Sequence, residues 1–126
     1  MTKEEFLDVY EREATSGDKS WRETPLSEAV CRELLNEGFS PETLLLLKRT
    51  PLGILKLLAH SADPRIRRGV ADKRAAAPLL DQLARDHDAG VRMRVCYNAK
   101  VSVATLERLA HDPDADVRRA ATRPRS

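Results

Sequence analysis

The stretch Leu83-Ala84-Arg85-Asp86-His87-Asp88-Ala89-Gly90-Val91-Arg92-Met93-Arg94-Val95-Cys96 has two relatives in the same chain. Upstream lies Leu58-Ala59-His60-Ser61-Ala62-Asp63-Pro64-Arg65-Ile66-Arg67-Arg68-Gly69-Val70-Ala71. Downstream lies Leu109-Ala110-His111-Asp112-Pro113-Asp114-Ala115-Asp116-Val117-Arg118-Arg119-Ala120-Ala121-Thr122. The copies are offset by 25 and then 26 residues. Leu-Ala opens each one. An Asp, a β-branched residue, an Arg and a small apolar residue then recur in fixed columns. So many aligned columns mark an internal repeat, and a period of this length points to stacked supersecondary units.

Each column has a physical task. Asp63, Asp88 and Asp114 stand where an N-cap belongs, and Pro64 fits the first helical position after its cap. Ile66/Val70, Val91/Val95 and Val117/Ala121 are i, i+4 pairs, each forming one apolar stripe on a helix of about two turns. Such a helix does not hold alone in water and needs neighbours. Leu80/Leu83 and Leu106/Leu109, spaced three apart among charged residues, read as a second amphipathic helix per unit, with Pro78 near the start of one. Ile66, Val70, Leu80, Leu83, Val91, Val95, Leu106, Leu109 and Val117 are therefore the expected core.

Working outward, Thr50-Pro51, Ser40-Pro41 and Thr24-Pro25 each begin with a cap residue and a proline. They predict helices through Leu52–Ala59, through Leu44–Leu47, and from Pro25 with Leu26, Val30 and Leu34 on one face and Gly38 as C-cap. Thr2 and Glu5 have capping-box spacing ahead of Phe6, Val9 and Tyr10, and residues 15–23 read as a loop. No strand-like alternation competes. The expected fold is all-α: a short α-solenoid of about 25-residue two-helix repeats behind an N-terminal helical cap. The cap spans residues 1–39 and the repeats 40–126, with units starting near 58, 83 and 109, all in one structural domain.

The pattern Leu-Ala-x-Asp-x-Asp-x-x-Val-Arg-x-x-Val-Ala, followed by Asn and then Leu-x-x-Leu-Ala, resembles the leucine-rich repeat variant family, a cousin of HEAT-like repeats. Residues 83–110 and 109–122 carry it best, 50–71 carry it well, and the first 40 residues do not match. The resemblance implies a right-handed superhelix in which α-helices alternate with shorter, often 3₁₀, helices. It specifies a fold rather than a task. One family member holds an iron–sulfur cluster on an N-terminal cysteine cluster. Here Cys31 stands alone in the N-terminal half, so no cofactor is implied. The family's Asn-Pro turn survives as Asn98-Ala99 and at Arg123-Pro124.

Composition narrows the function classes. Aromatics are only 4% of the 126 residues, too few for a base-stacking platform, while charged residues are 33%. Cys31 and Cys96 lack any partner at Cys-x-x-Cys spacing and read as buried thiols. Acidic residues follow Met1 where a signal peptide needs positive charge, and Leu44–Leu47 is far short of a membrane span. A cytoplasmic protein with no membrane partner is expected. His60 and His111 share a repeat column and read as helix C-terminal histidines rather than metal ligands. There is neither a Ser-His-acid motif nor a Gly-rich loop, so no catalytic, metal or cofactor residues are assigned.

The arginines are the sharpest feature. Arg67, Arg92 and Arg118 each follow an Asp (Asp63, Asp88, Asp114) by four residues, which predicts i, i+4 contacts in a structural Asp–Arg ladder linking turns and repeats. Arg68, Arg94, Arg119, Arg123 and Arg125 have no such partner and form a candidate basic ridge. The expected function is non-enzymatic: the solenoid surface holds a protein partner, one with an acidic surface. The alternative is nucleic-acid binding, with the Arg-rich second half on the phosphate backbone. The third unit lacks its second helix, whose start falls at Ser126. Val117, Ala121 and the flank of Leu109 are therefore expected to have one side uncovered unless another copy, a different partner or the folded-back tail fills it. Either Arg118, Arg119 and Arg123 shield a small patch with their alkyl stems, or Arg119, Arg123 and Arg125 frame a docking surface.

Overall fold

Capping chemistry decides where each element starts. The computed structural model describes residues 1–125, and all regular structure among them is helical. The α-helices are α1 Lys3–Ser16, α2 Glu28–Asn36, α3 Pro41–Leu45, α4 Leu52–Leu58, α5 Pro64–Ala71, α6 Leu80–Leu83, α7 Ala89–Tyr97, α8 Val103–Leu109 and α9 Ala115–Thr122. Two 3₁₀ turns, Ser20–Glu23 and Arg74–Leu79, complete the set. The chain divides into two compact units, Met1–Leu55 and one beginning at Lys56. That division falls inside α4.

In the first unit, Thr2 and Glu5 form the expected capping box, Thr2 accepting from the Glu5 N–H and Glu5 from the Thr2 N–H. The helix runs to Ser16 and stops at Gly17, whose φ of 83° is left-handed and needs no Cβ. The expected loop is thus mostly structured, because the 3₁₀ turn tucks Trp21 into the interior. Four aromatic rings meet there. Tyr10 lies 5.0 Å from Trp21 and 5.3 Å from Phe39, and Phe6 lies 5.9 Å from Phe39, mostly edge to face.

Two helix bounds differ from the sequence expectation. α2 starts at Glu28, not at Pro25, since the Ser27 hydroxyl accepts from the Val30 N–H and outcompetes Thr24 as cap. Gly38, at φ 89°, closes it with bonds from the Gly38 and Phe39 N–H groups to the Leu35 and Leu34 carbonyls. α3 begins as expected on Ser40 but ends at Leu45. Thr50, expected to be a helix cap, is buried and donates its hydroxyl to the Leu44 carbonyl.

The second unit carries the repeat. Asp63, Asp88 and Asp114 cap α5, α7 and α9 through their carboxylates. α7 packs against α5 on one side and α9 on the other. Ile66, Val70, Val91, Val95 and Val117 are buried, as are Leu80, Leu83 and Leu109. Leu106 is only half-buried, and Thr105 points inward in its place, its hydroxyl bonded to that of the α8 cap Ser102. The Pro78 segment is a 3₁₀ turn leading into a single α-turn, because a proline there removes an N–H from the helical pattern.

Candidate interaction surface

The arginine column does not pair along its own helices. Each Asp of the i, i+4 register is held at the helix start, accepting backbone N–H groups, and each Arg reaches elsewhere. Arg67 grips Asp86 through both Nε (2.8 Å) and Nη2 (3.2 Å), while its Nη1 donates to the Ser61 carbonyl at 2.7 Å. Arg92 repeats the arrangement on Asp112 at 2.8 and 3.1 Å, with Nη1 on the Asp86 carbonyl at 2.7 Å. The ladder of Asp63/Arg67, Asp88/Arg92 and Asp114/Arg118 is thereby corrected: its rungs cross between units of the repeat. A helix of two turns gives a six-atom side chain an easy reach to the next loop, and planar two-point bonding favours Arg there over Lys.

These rungs are buried. Side-chain exposure is 9% for both Arg67 and Asp86, and 14% and 5% for Arg92 and Asp112. The hydrogen bonds to Asp86 and Asp112 raise the two guanidinium pKa values above the ordinary arginine value, outweighing burial. Burial pushes the Asp112 carboxyl upward, but the Arg92 hydrogen bond and the Asp114 N–H more than reverse it, leaving its pKa lowered. Asp86 and Asp112 also fold their own turns by accepting the N–H two residues on, and in the first copy Ser61 does the same for Asp63. The recurring Asp at 86 and 112 was the available signal. It is a fixed column in only two copies, with Ser61 in the third.

The ridge residues are likewise spoken for. Arg68 bonds Asp88 at 3.1 Å across to the α7 cap, lying so close over Gly90 that a side chain there would push the guanidinium aside. Burial raises the Asp88 carboxyl, yet the Val91 N–H and Arg68 overcome it and leave its pKa lowered. Arg94 pairs with Asp72 at 3.3 Å, and Arg119 with Asp116. Arg123 lies 4.5 Å over the Tyr97 ring, and Arg125 donates to the Cys96 carbonyl at 2.7 Å. Arg68, Arg94, Arg119, Arg123 and Arg125 thus do not form a free basic ridge, and Arg123 and Arg125 turn back onto α7. Val117, Ala121 and Leu109 are all buried, and the tail folds back, one of the ways expected for that end to be covered. Ser126 lies outside the described residues.

Asn98, read in the sequence only as a turn residue, does more. It is buried, donates both amide hydrogens to the Ala71 and Lys73 carbonyls, and accepts from the Lys100 N–H. It therefore seals the C-terminal end of α5 from the end of α7. Tyr97 beside it is 53% exposed and Val103 is 71% exposed.

A polar cavity of about 360 Å³ opens over the first rung, lined by Ala59, His60, Ser61, Gln82, Asp86 and His87 among others. Among the described residues no group of His, Cys, Asp or Glu is arranged to hold a metal. Both cysteines are free and buried, and burial with the nearby Glu28 carboxylate pushes the Cys31 thiol up to about 11, while burial also raises Cys96. None of the described helices is long and apolar enough to cross a membrane. Comparison of the chain with protein-family models, with curated proteins and with solved structures gave no match.

Proposed function

We infer that the second unit is a short right-handed α-solenoid of the leucine-rich repeat variant or HEAT-like kind, and that it serves as a non-enzymatic module binding a protein partner. The observation that carries the reading is the pairing of its arginines. Arg68, Arg94 and Arg119 each face an acid of the same chain, so the helical face presents alternating charge with an exposed tyrosine. A polyanion prefers an uncompensated row of cations, whereas a protein surface can match alternating charge. Caps at Asp63, Asp88 and Asp114 support the repeated architecture, as does the packing of α7 between α5 and α9.

The test is recovery from native lysate with and without nuclease, followed by binding to random duplex DNA across a salt series. Nuclease-insensitive recovery of one defined protein supports the module. DNA affinity that falls steeply with the logarithm of salt concentration overturns it in favour of phosphate binding.

A further inference from the structure

The cavity over the first rung is lined by hydrogen-bond donors that the fold leaves unspent. Arg67 is one of its walls and is only 7% exposed. A guanidinium carries five N–H groups. The Asp86 oxygens and the Ser61 carbonyl take three of them, which leaves one hydrogen on each of Nη1 and Nη2. The Ser61 hydroxyl oxygen accepts the Asp63 N–H and keeps its own proton to give. His60, Gln82 and His87 complete the polar lining, and their side chains bond to no other group among the described residues. The acceptors are already engaged: Asp86 Oδ1 receives Arg67 and the Asp88 N–H, and Oδ2 receives Arg67 Nε. The same positions around the second rung are built differently. Arg85, Arg108 and Pro113 stand there in place of His60, Gln82 and His87, and both arginines turn to Asp81.

The geometry points to this cavity as a binding site for a small carboxylic acid, held as its anion. The site goes beyond the partner-binding reading above and does not depend on it. An excess of donors over free acceptors selects a ligand that accepts, and a guanidinium with hydrogens to spare suits an oxyanion. Charge then selects among oxyanions. Asp86 is the one acid among the lining residues, and Arg67 offsets it. A monoanion therefore enters a compensated site, whereas the second charge of a phosphate would meet the Asp86 carboxylate with no further counter-ion. Ala59 and Leu83, also in the lining, offer apolar surface to a short hydrocarbon chain. The volume of about 360 Å³ lies at the small end for ligand cavities, which suits a short-chain acid rather than a bulky cofactor.

The probes are sodium acetate, sodium butyrate and inorganic phosphate, each titrated into the intact chain at fixed pH and ionic strength. The side-chain NMR resonances of His60, Gln82 and His87 are followed, with His111 as a reference outside the cavity. Saturable shifts at millimolar concentration are expected with both carboxylates, butyrate binding severalfold more tightly than acetate. Gln82→Glu keeps the size of an exposed side chain and adds a negative charge, so it should weaken butyrate by about tenfold, read at His60. His87→Ala, also at an exposed position, should weaken it about threefold or more with the denaturant midpoint unchanged. His111→Ala should leave the affinity as it was. The proposal is overturned by the absence of a saturable shift with either carboxylate, by unchanged affinity in both Gln82→Glu and His87→Ala, or by an equal response at His111. Phosphate binding more tightly than butyrate at the same resonances overturns it as well.

Discussion

The two units are held together by different chemistry. Up to Leu55, rings do the work: Phe6, Tyr10, Trp21 and Phe39 meet edge to face within one small interior. From Lys56 on, the one described aromatic is Tyr97, which lies at the surface. The interior there is aliphatic and is crossed by two buried ion pairs. Charge follows the same division, with 7 Lys/Arg against 11 Asp/Glu before residue 56 and 15 against 9 from Lys56 on. A unit without large side chains gains order from polar contacts repeated at fixed intervals. A unit without a repeat depends on a few large rings.

The comparison breaks first at Phe6. Phe6→Ala should cost roughly 4 kcal/mol, read as a drop in the denaturant midpoint, with loss of near-ultraviolet signal from Trp21. If ring packing matters as little there as in the second unit, the cost will be under about 1 kcal/mol. Next comes the ladder. Asp112→Ala should cost about 3 kcal/mol, because it strands the Arg92 guanidinium in a buried site. Arg119→Ala, which removes only an exposed pair, should cost no more than about 0.5 kcal/mol.

Acid should separate the same two kinds of pair. Asp88 and Asp112 have folded pKa values below the ordinary 3.8, so the unfolded chain takes up their protons first. Their stabilisation is full above about 3.8 and is lost as the pH falls through the depressed folded values. Asp112→Asn should therefore be less stable than the parent at pH 7 and lose less on acidification. An acid titration of unfolding midpoints checks this.

Smaller effects sharpen the picture. Val95→Ala, in the fully buried α7 stripe, should cost about 2 kcal/mol. Asp88→Ala should cost about 1 kcal/mol from the lost cap, a little more if the Arg68 contact adds to it. A cost for Asp88→Ala equal to that of Asp112→Ala would erase the distinction between cap and rung.

What the sequence disclosed follows from the range of each interaction. Caps at Thr2, Ser40, Asp63, Asp88 and Asp114 act within three residues, so residue type and spacing suffice to place them. The stripe of Val91 and Val95 is equally local. The rungs were misassigned because two acids compete for each arginine. For Arg92 these are Asp88, four residues back, and Asp112, 20 residues on. The helix N–H groups claim Asp88, as its cap position foretold, but that Arg92 then reaches Asp112 depends on the fold bringing the next turn alongside. The free ridge failed for the same reason, since the partners of Arg68 and Arg94 lie on neighbouring helices. Leu106 lost its inward place to Thr105, whose hydroxyl finds a partner in Ser102.

The ladder also bears on how fast the second unit forms. Its rungs join residues 19 and 20 apart, and the Arg68–Asp88 contact spans 20. Closing a loop of that size costs little more than closing one half as long, about 0.6 kcal/mol. Contacts this short in sequence place a domain toward the rapid end of folding rates.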